Sequence, residues 1–408
     1  MSGRVTDFLD ALSAFRPVQT PTLVLYRPAL ERNLARMQQA CASAGVRLRA
    51  HGKTHKCSTL ARRQVALGAV GVCAQTVGEA EAFVAAGIAD VLVTSPSPPW
   101  GGAGLAALAG EGRRISAVAD DAGQIARLSQ AATAAGVQLE LVVDIDLGQH
   151  RSGAAPDQVG ELVRLSSSSP GLRWRGVQAY LGHLQHLSDP ALRRQANTVA
   201  RERLGALLAT LRAEGLAPEI VTGGGTGTYT DDLQGGVFTE LQAGSYAVMD
   251  VEYGDCGAPD GGGWAFEPAM AIAATVVSAR HKTHVVVDAG LKSVSVDGPP
   301  ARVLSGAPPG GVWRPMGDEH GAIFTAEAMP LLRQAGRDPL AFQEAIDKAD
   351  QDGSTPWPAD APVVGNIVWL QPGHCDPTIN LYDAFVVLDE DGSTETWPID
   401  ARRRTPPS

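Results

Sequence analysis

Between Val46 and Gln242 the chain alternates short apolar runs with Ala/Leu-rich stretches of helical spacing. The runs are Val46 to Ala50, Ala69 to Ala74, Val91 to Thr94, Ile115 to Ala119, Leu139 to Ile145, Gly176 to Tyr180, Glu219 to Thr222 and Thr239 to Gln242. Each reads as a strand. Helical patterns occupy Pro28 to Ala44, with Leu30, Leu34 and Met37 at helical spacing, and then Val77 to Ala86, Ala122 to Ala135, Val159 to Leu165 and Ala191 to Glu214. Strand–helix alternation repeated eight times over about 200 residues predicts an α/β fold built on a (β/α)8 barrel of TIM type, with a doubly wound open sheet as the competing arrangement.

After about Gly262 the pattern changes to valine-rich runs separated by Gly and Pro clusters: Ala271 to Ser278, His284 to Val287, Ile367 to Leu370 and Ala384 to Leu388. These predict a C-terminal antiparallel β domain. Thr22 to Tyr26 is strand-like and could join it. The expected division is a barrel over 27–262 and a β domain over 1–26 and 263–408. Ala326 to Ala349 reads as a helical insertion followed by a polar, Pro-rich tail, Asp350 to Pro362.

Composition narrows the function. With 408 residues, 44% hydrophobic and 19% charged, the chain can bury a sizeable core plus a second domain. A net charge of -10, with no basic run longer than Arg402-Arg403-Arg404, disfavours nucleic acid and anionic membranes and points to a small-molecule partner. No apolar stretch approaches the roughly 20 residues of a membrane span. Cys41, Cys57, Cys73, Cys256 and Cys375 form no CxxC pair, and Met1 to Phe15 does not read as a signal peptide, so a cytoplasmic protein is expected.

In such a barrel the reacting groups gather where strands end. The first strand runs into His51-Gly52-Lys53-Thr54-His55-Lys56, where a lysine could form a Schiff base if burial or the neighbouring cations lower its pKa; a solvated basic loop is the plainer reading. Later strands end near Gln75, near Asp144 and Asp146 with Arg151 beyond, and at Tyr180 with His183 following. After the seventh comes Thr222-Gly223-Gly224-Gly225-Thr226-Gly227-Thr228, whose glycines and hydroxyls suit an anion, while a Walker-type loop lacks its Gly-Lys-Ser/Thr ending. A lysine and an anion nest at one barrel mouth would hold the aldehyde and phosphate ends of pyridoxal 5'-phosphate. Tyr180 or His183 could cover a ring face, or pack in the barrel; Arg151 could reach the ring oxygen, or pair with a carboxylate. In the second domain His374 and Asp376, spaced i, i+2, would share one face of an extended segment and offer an N/O pair to Mn²⁺, Mg²⁺ or Zn²⁺; a structural histidine beside an ordinary aspartate is the alternative.

Together these motifs resemble the fold type III pyridoxal-phosphate enzymes, and within them the D-threonine aldolase and D-serine dehydratase-like group. The resemblance rests on Arg49-Ala50-His51-Gly52-Lys53-Thr54-His55-Lys56, Val221 to Thr228, Glu240 to Tyr246, Asp318-Glu319-His320-Gly321 and Gly373 to Thr378. It assigns the Schiff base to Lys53 rather than Lys56, and puts Tyr246 at the cofactor phosphate beside Thr222, Gly224, Gly225 and Thr226. Dehydratases of the group tend to carry a cysteine where this chain has Asp376, so the resemblance favours a metal-dependent aldolase. Departures are Ser95-Pro96 where relatives carry an asparagine, Tyr26 where an aspartate is common, and the longer insertion.

The resemblance implies a homodimeric carbon–carbon lyase that cleaves D-β-hydroxy-α-amino acids to glycine and an aldehyde. Lys53 would hold the cofactor, His183 would act as base, and His374 and Asp376 would bind the metal, with manganese or magnesium favoured over zinc. A dehydratase for D-serine or D-threo-3-hydroxyaspartate is the main alternative; a racemase and a noncatalytic cofactor carrier are weaker ones.

Overall fold

The computed structural model describes residues 3–110, 112–259, 261–308, 310–330, 333, 338–352 and 361–402. They form two compact units. One comprises Arg32–Ala247, Asp255–Phe266 and Pro398–Ser408, the other Met1–Glu31, Val248–Gly254 and Glu267–Trp397. The first strand, β1 (Thr22–Tyr26), belongs to the second unit.

The next eight strands close into a barrel: β2 (Arg47–His51), β3 (Gly71–Ala74), β4 (Asp90–Val93), β5 (Arg114–Ala119), β6 (Leu139–Asp144), β7 (Leu172–Ala179), β8 (Ile220–Gly223) and β9 (Glu240–Leu241). Every pairing is parallel, and β9 closes the ring onto β2 through Arg47↔Glu240 and Leu48↔Leu241. Parallel strands covered by helices are buried on both faces, which is why they read as continuous apolar runs. The helices between them carry their own stop signals. Asp121 accepts from the Gln124 amide at 2.8 Å to start Ala122–Ala135, and Gly136, at φ 64°, ends it. Asp189 caps Pro190–Ala213 in the same way. Three further helices in this unit, Ser58–Ala66, Gly101–Leu108 and Tyr229–Gln234, lie outside the helical patterns read from the sequence.

Period-two alternation sorts the barrel interior into tiers. Along β4, β5 and β6 the inward positions run Asp90-Leu92-Thr94, Ser116-Val118-Asp120 and Glu140-Val142-Asp144. The lowest tier is charged and crosses the lumen: Arg49 bonds Glu240 and Asp90, and Arg175 bonds Glu140 and Ser116. Above it Cys73, Leu92, Val118, Val142 and Ile220 pack as an apolar layer. The upper tier, at the strand C-termini, is polar again.

In the other unit, β10 (Met270–Ser278), β11 (His284–Val287), β12 (Arg302–Ser305), β13 (Val312–Pro315), β14 (Gly321–Phe324) and β15 (Ile367–Gln371) close a six-strand ring in the order β10-β11-β14-β13-β12-β15. Its pairings are antiparallel, with Ile272 opposite Leu370 and Val285 opposite Ile323. The sheet continues from β10 through β1 to β16 (Ala384–Leu388) and β17 (Thr394–Pro398). The expectation of a purely antiparallel domain needs one amendment, since β1 pairs β16 in parallel, Val24 opposite Val386. Within 326–362 residues 329, 330 and 333 are helical and a longer helix spans Pro339–Asp352; residues 326–328 form a turn rather than the predicted helix start, and much of the Pro-rich tail, like Arg403 and Arg404, lies outside the described residues.

Candidate active site at the barrel mouth

Because all eight barrel strands run in one direction, their C-terminal loops share one mouth. Lys53 stands in the turn just past β2, two residues beyond the strand end at His51, and the glycine loop follows β8. Only β9 separates those strands, so the loops start about 10 Å apart. Two contacts bind them to the turn after β9. Gly244 lies where a Cβ would strike Thr54 Oγ1 and the His51 carbonyl, so only glycine lets the backbones approach this closely. The Tyr246 amide donates to Thr226 Oγ1 at 3.1 Å.

The lysine turn is not the basic loop that its sequence suggests. Lys56 pairs with the buried Glu79 at 3.4 Å, and His55 Nδ1 accepts from the Cys57 amide at 3.1 Å, which leaves the proton on Nε2, 3.2 Å from Gln64 Oε1. Gln64 in turn donates to the Tyr246 hydroxyl at 3.0 Å. His55 is therefore a neutral strut, and the Lys56 ammonium is paired with Glu79. Tyr246 is fully buried, its hydroxyl turned to Gln64 and its pKa pushed up by burial, so its amide is the atom nearer the loop.

The upper tier forms a network that the sequence did not reveal. His51 Nε2 lies 3.1 Å from Thr94 Oγ1, which also lies 3.3 Å from Gln75 Oε1. Gln178 donates to the Thr94 carbonyl and to Asp144, while Gln242 donates to Gln178 and to Thr222 Oγ1 at 2.9 Å. Burial pushes the Asp144 carboxyl up to about 6, against the donors Gln178 and Ser152. β6 ends at Asp144, so Asp146 lies beyond it and accepts from Gly148 and His150 in the loop that carries Arg151. The Arg151 guanidinium stands 5.5 Å from the Tyr180 ring centroid, a cation–π contact rather than a carboxylate pair. His183 is exposed on the short 3₁₀ turn Gly182–Leu184 after β7, and a Cβ at Gly148 would come within 3.9 Å of its ring.

The glycine loop is shaped from behind by Gln185 and Asp232. Gly227 donates its amide to Gln185 Oε1 at 2.8 Å, and Gly225 turns its own toward Asp232. Gly225 thus serves by letting Gln185 lie against the loop, where any Cβ would collide with it. Gly224, at φ 69°, supplies the left-handed bend. Burial pushes the Asp232 carboxyl up to about 6 although Thr228 and Asn197 donate to it. For a pyridoxal phosphate the fit is good: a lysine, a tight loop of glycines and hydroxyls, and a polar floor between them.

In the second unit the predicted metal pair has a different local geometry. His374 is extended and caps the short helix Cys375–Ile379, with Asp376 in its first turn, because Pro377 is tolerated there and the aspartate faces the positive helix end. The i, i+2 extended pairing is therefore corrected. Segment 250–252 docks on this turn: Val251 and Glu252 donate to the carbonyls of Pro372 and Gly373, and Asp250 accepts from the Cys375 amide. His374 Nδ1 lies 2.8 Å from Asp297 Oδ2 and 3.9 Å from Glu252 Oε2. Burial raises the Glu252 carboxyl; His374 opposes, and Asp250, Asp297 and Asp376 add to the rise. Among the described residues no three His, Cys, Asp or Glu already converge on an ion position. The donor chemistry still suits a divalent cation: with Asp297 orienting Nδ1, Nε2 of His374 and a carboxylate oxygen of Asp376 are the atoms that would bind it. Asp318, Glu319 and His320 form an exposed turn before β14 where Glu319 pairs with Lys292 at 2.5 Å.

A parallel barrel with a lysine past its first strand and an anion loop past its seventh, joined in one chain to a second β unit, is the architecture of fold type III pyridoxal-phosphate enzymes. The alanine racemase N-terminal domain family matches residues 26–251, and the serine dehydratase domain family matches 269–388. The chain is 38% identical to D-threonine aldolase of Arthrobacter sp over 94% of its own length and 93% of that protein's. It is 37% identical to 3-hydroxy-D-aspartate aldolase of Paracoccus denitrificans (strain Pd 1222), over 94% and 92%, and 30% identical to D-threo-3-hydroxyaspartate dehydratase of Delftia sp. (strain HT23), over 93% and 97%. The crystal structure of D-threonine aldolase from Filomicrobium marinum superposes with a TM-score of 0.82 at 36% identity, covering 94% of this chain and 96% of that one. The chain belongs to this fold type III family of lyases acting on D-amino acids.

Proposed function

We propose that the protein is a pyridoxal-phosphate- and divalent-metal-dependent aldolase that cleaves D-β-hydroxy-α-amino acids of the D-threonine type to glycine and an aldehyde. The observation that carries this over dehydration is Asp376: the motif that starts at His374 offers an oxygen donor within a ring of acids, and oxygen ligation suits a hard, exchangeable ion such as Mn²⁺ or Mg²⁺, with Zn²⁺ less favoured. The higher identity to two aldolases than to the dehydratase supports the same choice.

In this reading Lys53 holds the cofactor covalently through its ε-amine. Lys56 is a poor rival because Glu79 engages its ammonium. Thr222, Gly224, Thr226 and Tyr246 hold the phosphate, Tyr246 by way of the Thr226 hydroxyl that its amide engages, and Gly225 keeps the loop tight. Gln75, Arg151 and Tyr180 line the ring, Arg151 held by its stacking on Tyr180. Bound pyridoxal phosphate supplies an electron sink for the pair left on Cα when the Cα–Cβ bond breaks. A bound divalent ion supplies Lewis acidity at the β-hydroxyl. His183 accepts the proton from that hydroxyl, a role its exposed position beside the mouth permits. The active form is proposed to be a homodimer in the cytoplasm.

The test is product analysis with D-threonine, a D-phenylserine and a 3-hydroxy-D-aspartate. Glycine and the matching aldehyde are expected from at least one. Ammonia and a keto acid from all of them would make the protein a dehydratase.

A further inference from the structure

The side chains behind the glycine loop form a chain of hydrogen bonds with one direction. Asp232 is fully buried, and as a carboxylate it can only accept. Its Oδ1 accepts from Asn197 Nδ2 at 2.9 Å, and its Oδ2 takes the Thr228 hydroxyl hydrogen at 2.6 Å. With that hydrogen committed, Thr228 Oγ1 must accept from its other side, and Gln185 Nε2 donates to it at 3.0 Å. Gln185 Nε2 also donates to the Leu181 carbonyl at 3.3 Å, so Thr228 and that carbonyl together orient the Gln185 amide, with its oxygen toward the Gly227 amide at 2.8 Å. Gln185 sits one residue after the turn that carries His183.

We propose that Asp232 is a positioning residue whose acceptor-only chemistry, relayed through Thr228 and Gln185, holds the glycine loop in its phosphate-binding shape. This rests on the assignment of that loop to the cofactor phosphate. Each link is buried, so a reversed link leaves two donors or two lone pairs facing each other with no water to relieve them. Asp232→Asn with its NH₂ toward Thr228 leaves that hydroxyl hydrogen without an acceptor unless Gln185 flips, and a flipped Gln185 sets its oxygen against the Leu181 carbonyl and its NH₂ against the Gly227 amide. Gln185→Glu alone places carboxylates on both sides of one hydroxyl. The double substitution restores the direction along positions 232, 228 and 185 with the net charge unchanged, because Thr228 then donates to position 185, whose second oxygen still accepts from Gly227; only the donation to the Leu181 carbonyl is lost.

The experiment is a binding titration of the full-length chain, freed of cofactor, with pyridoxal phosphate, pyridoxal and inorganic phosphate as probes. Each single variant should weaken pyridoxal phosphate and inorganic phosphate by about tenfold or more while pyridoxal changes by less than about twofold, and the double variant should recover most of the loss. Either single variant suffices if the other does not fold. Unchanged phosphate affinity in the singles, equal loss of pyridoxal, or no recovery in the double would overturn the relay. A wild-type chain with no preference for pyridoxal phosphate over pyridoxal would instead overturn the phosphate assignment of the loop.

Discussion

Arg49 Nε lies 2.7 Å from Glu240 Oε2, and neither side chain reaches solvent. The two residues come from β2 and β9, the strands whose pairing closes the barrel, and Arg49 also bonds Asp90 at 2.6 Å. Burial alone would make Arg49 easier to deprotonate, yet the two carboxylates more than offset it and hold the guanidinium charged. Glu240→Gln leaves part of that charge unpaired in the barrel interior, and a loss of about 3–5 kcal/mol is expected. Urea unfolding monitored by circular dichroism checks it; a change under about 1 kcal/mol would mean water reaches this tier.

Lys53→Ala should abolish the visible absorbance of the lysine-bound cofactor, and Lys56→Ala should keep it. The distinction follows from the motif resemblance that assigns the Schiff base to Lys53, whereas Lys56 is paired with Glu79. The absorption spectrum after incubation with pyridoxal phosphate reads both variants, and an unchanged band in Lys53→Ala would refute the assignment.

Treatment with a chelator should abolish aldehyde release, and Mn²⁺ should restore it. His374→Ala should lower kcat/KM by at least about a hundredfold if its Nε2 is a metal ligand, without loss of the cofactor band. Full turnover in metal-stripped protein would reject the metal role.

Asp144 makes stability depend on pH. Its carboxyl shifts from 3.8 to about 6, chiefly by burial, so the folded chain holds a proton that the unfolded chain releases. The contribution is fully present below about pH 3.8 and is lost as pH rises through about 6, a change of about 3 kcal/mol. Asp144→Asn lacks this term. The melting temperature of wild type minus that of Asp144→Asn should therefore fall between pH 4 and 7 and level off above, and a gap that widens with pH would contradict the shift.

Much of the site was legible because some residue types have few other uses at their positions. Lys53 after a strand and Thr222 to Thr228 after the seventh strand could be read as an amine and an anion loop without coordinates. The interior tiers could not. Asp90-Leu92-Thr94 and Glu140-Val142-Asp144 contain the signal as period-two triads, but only the strand order and register show that their ends meet Arg49 or Gln178 inside the barrel. Gln185 and Asp232 were missed for a similar reason: each is an ordinary polar residue in a helical or loop stretch until the fold buries it behind Gly225 and Gly227. At His374 the sequence pattern misled, since alternation along an extended strand and the start of a helix place residues i and i+2 differently, and Pro377 decided for the helix.

Local patterning alone marked eight strands and the longer helices between most of them, because a buried parallel strand and an amphipathic helix each write their period into consecutive residues. What only tertiary structure decided was which charges are paired, which hydroxyls have a direction and which turn is neutral. His55, Lys56 and Asp232 acquire their chemistry from partners 9, 23 and 35 positions away, in Gln64, Glu79 and Asn197. Electrostatics in a desolvated interior is set by distance through space, and sequence separation does not encode that distance.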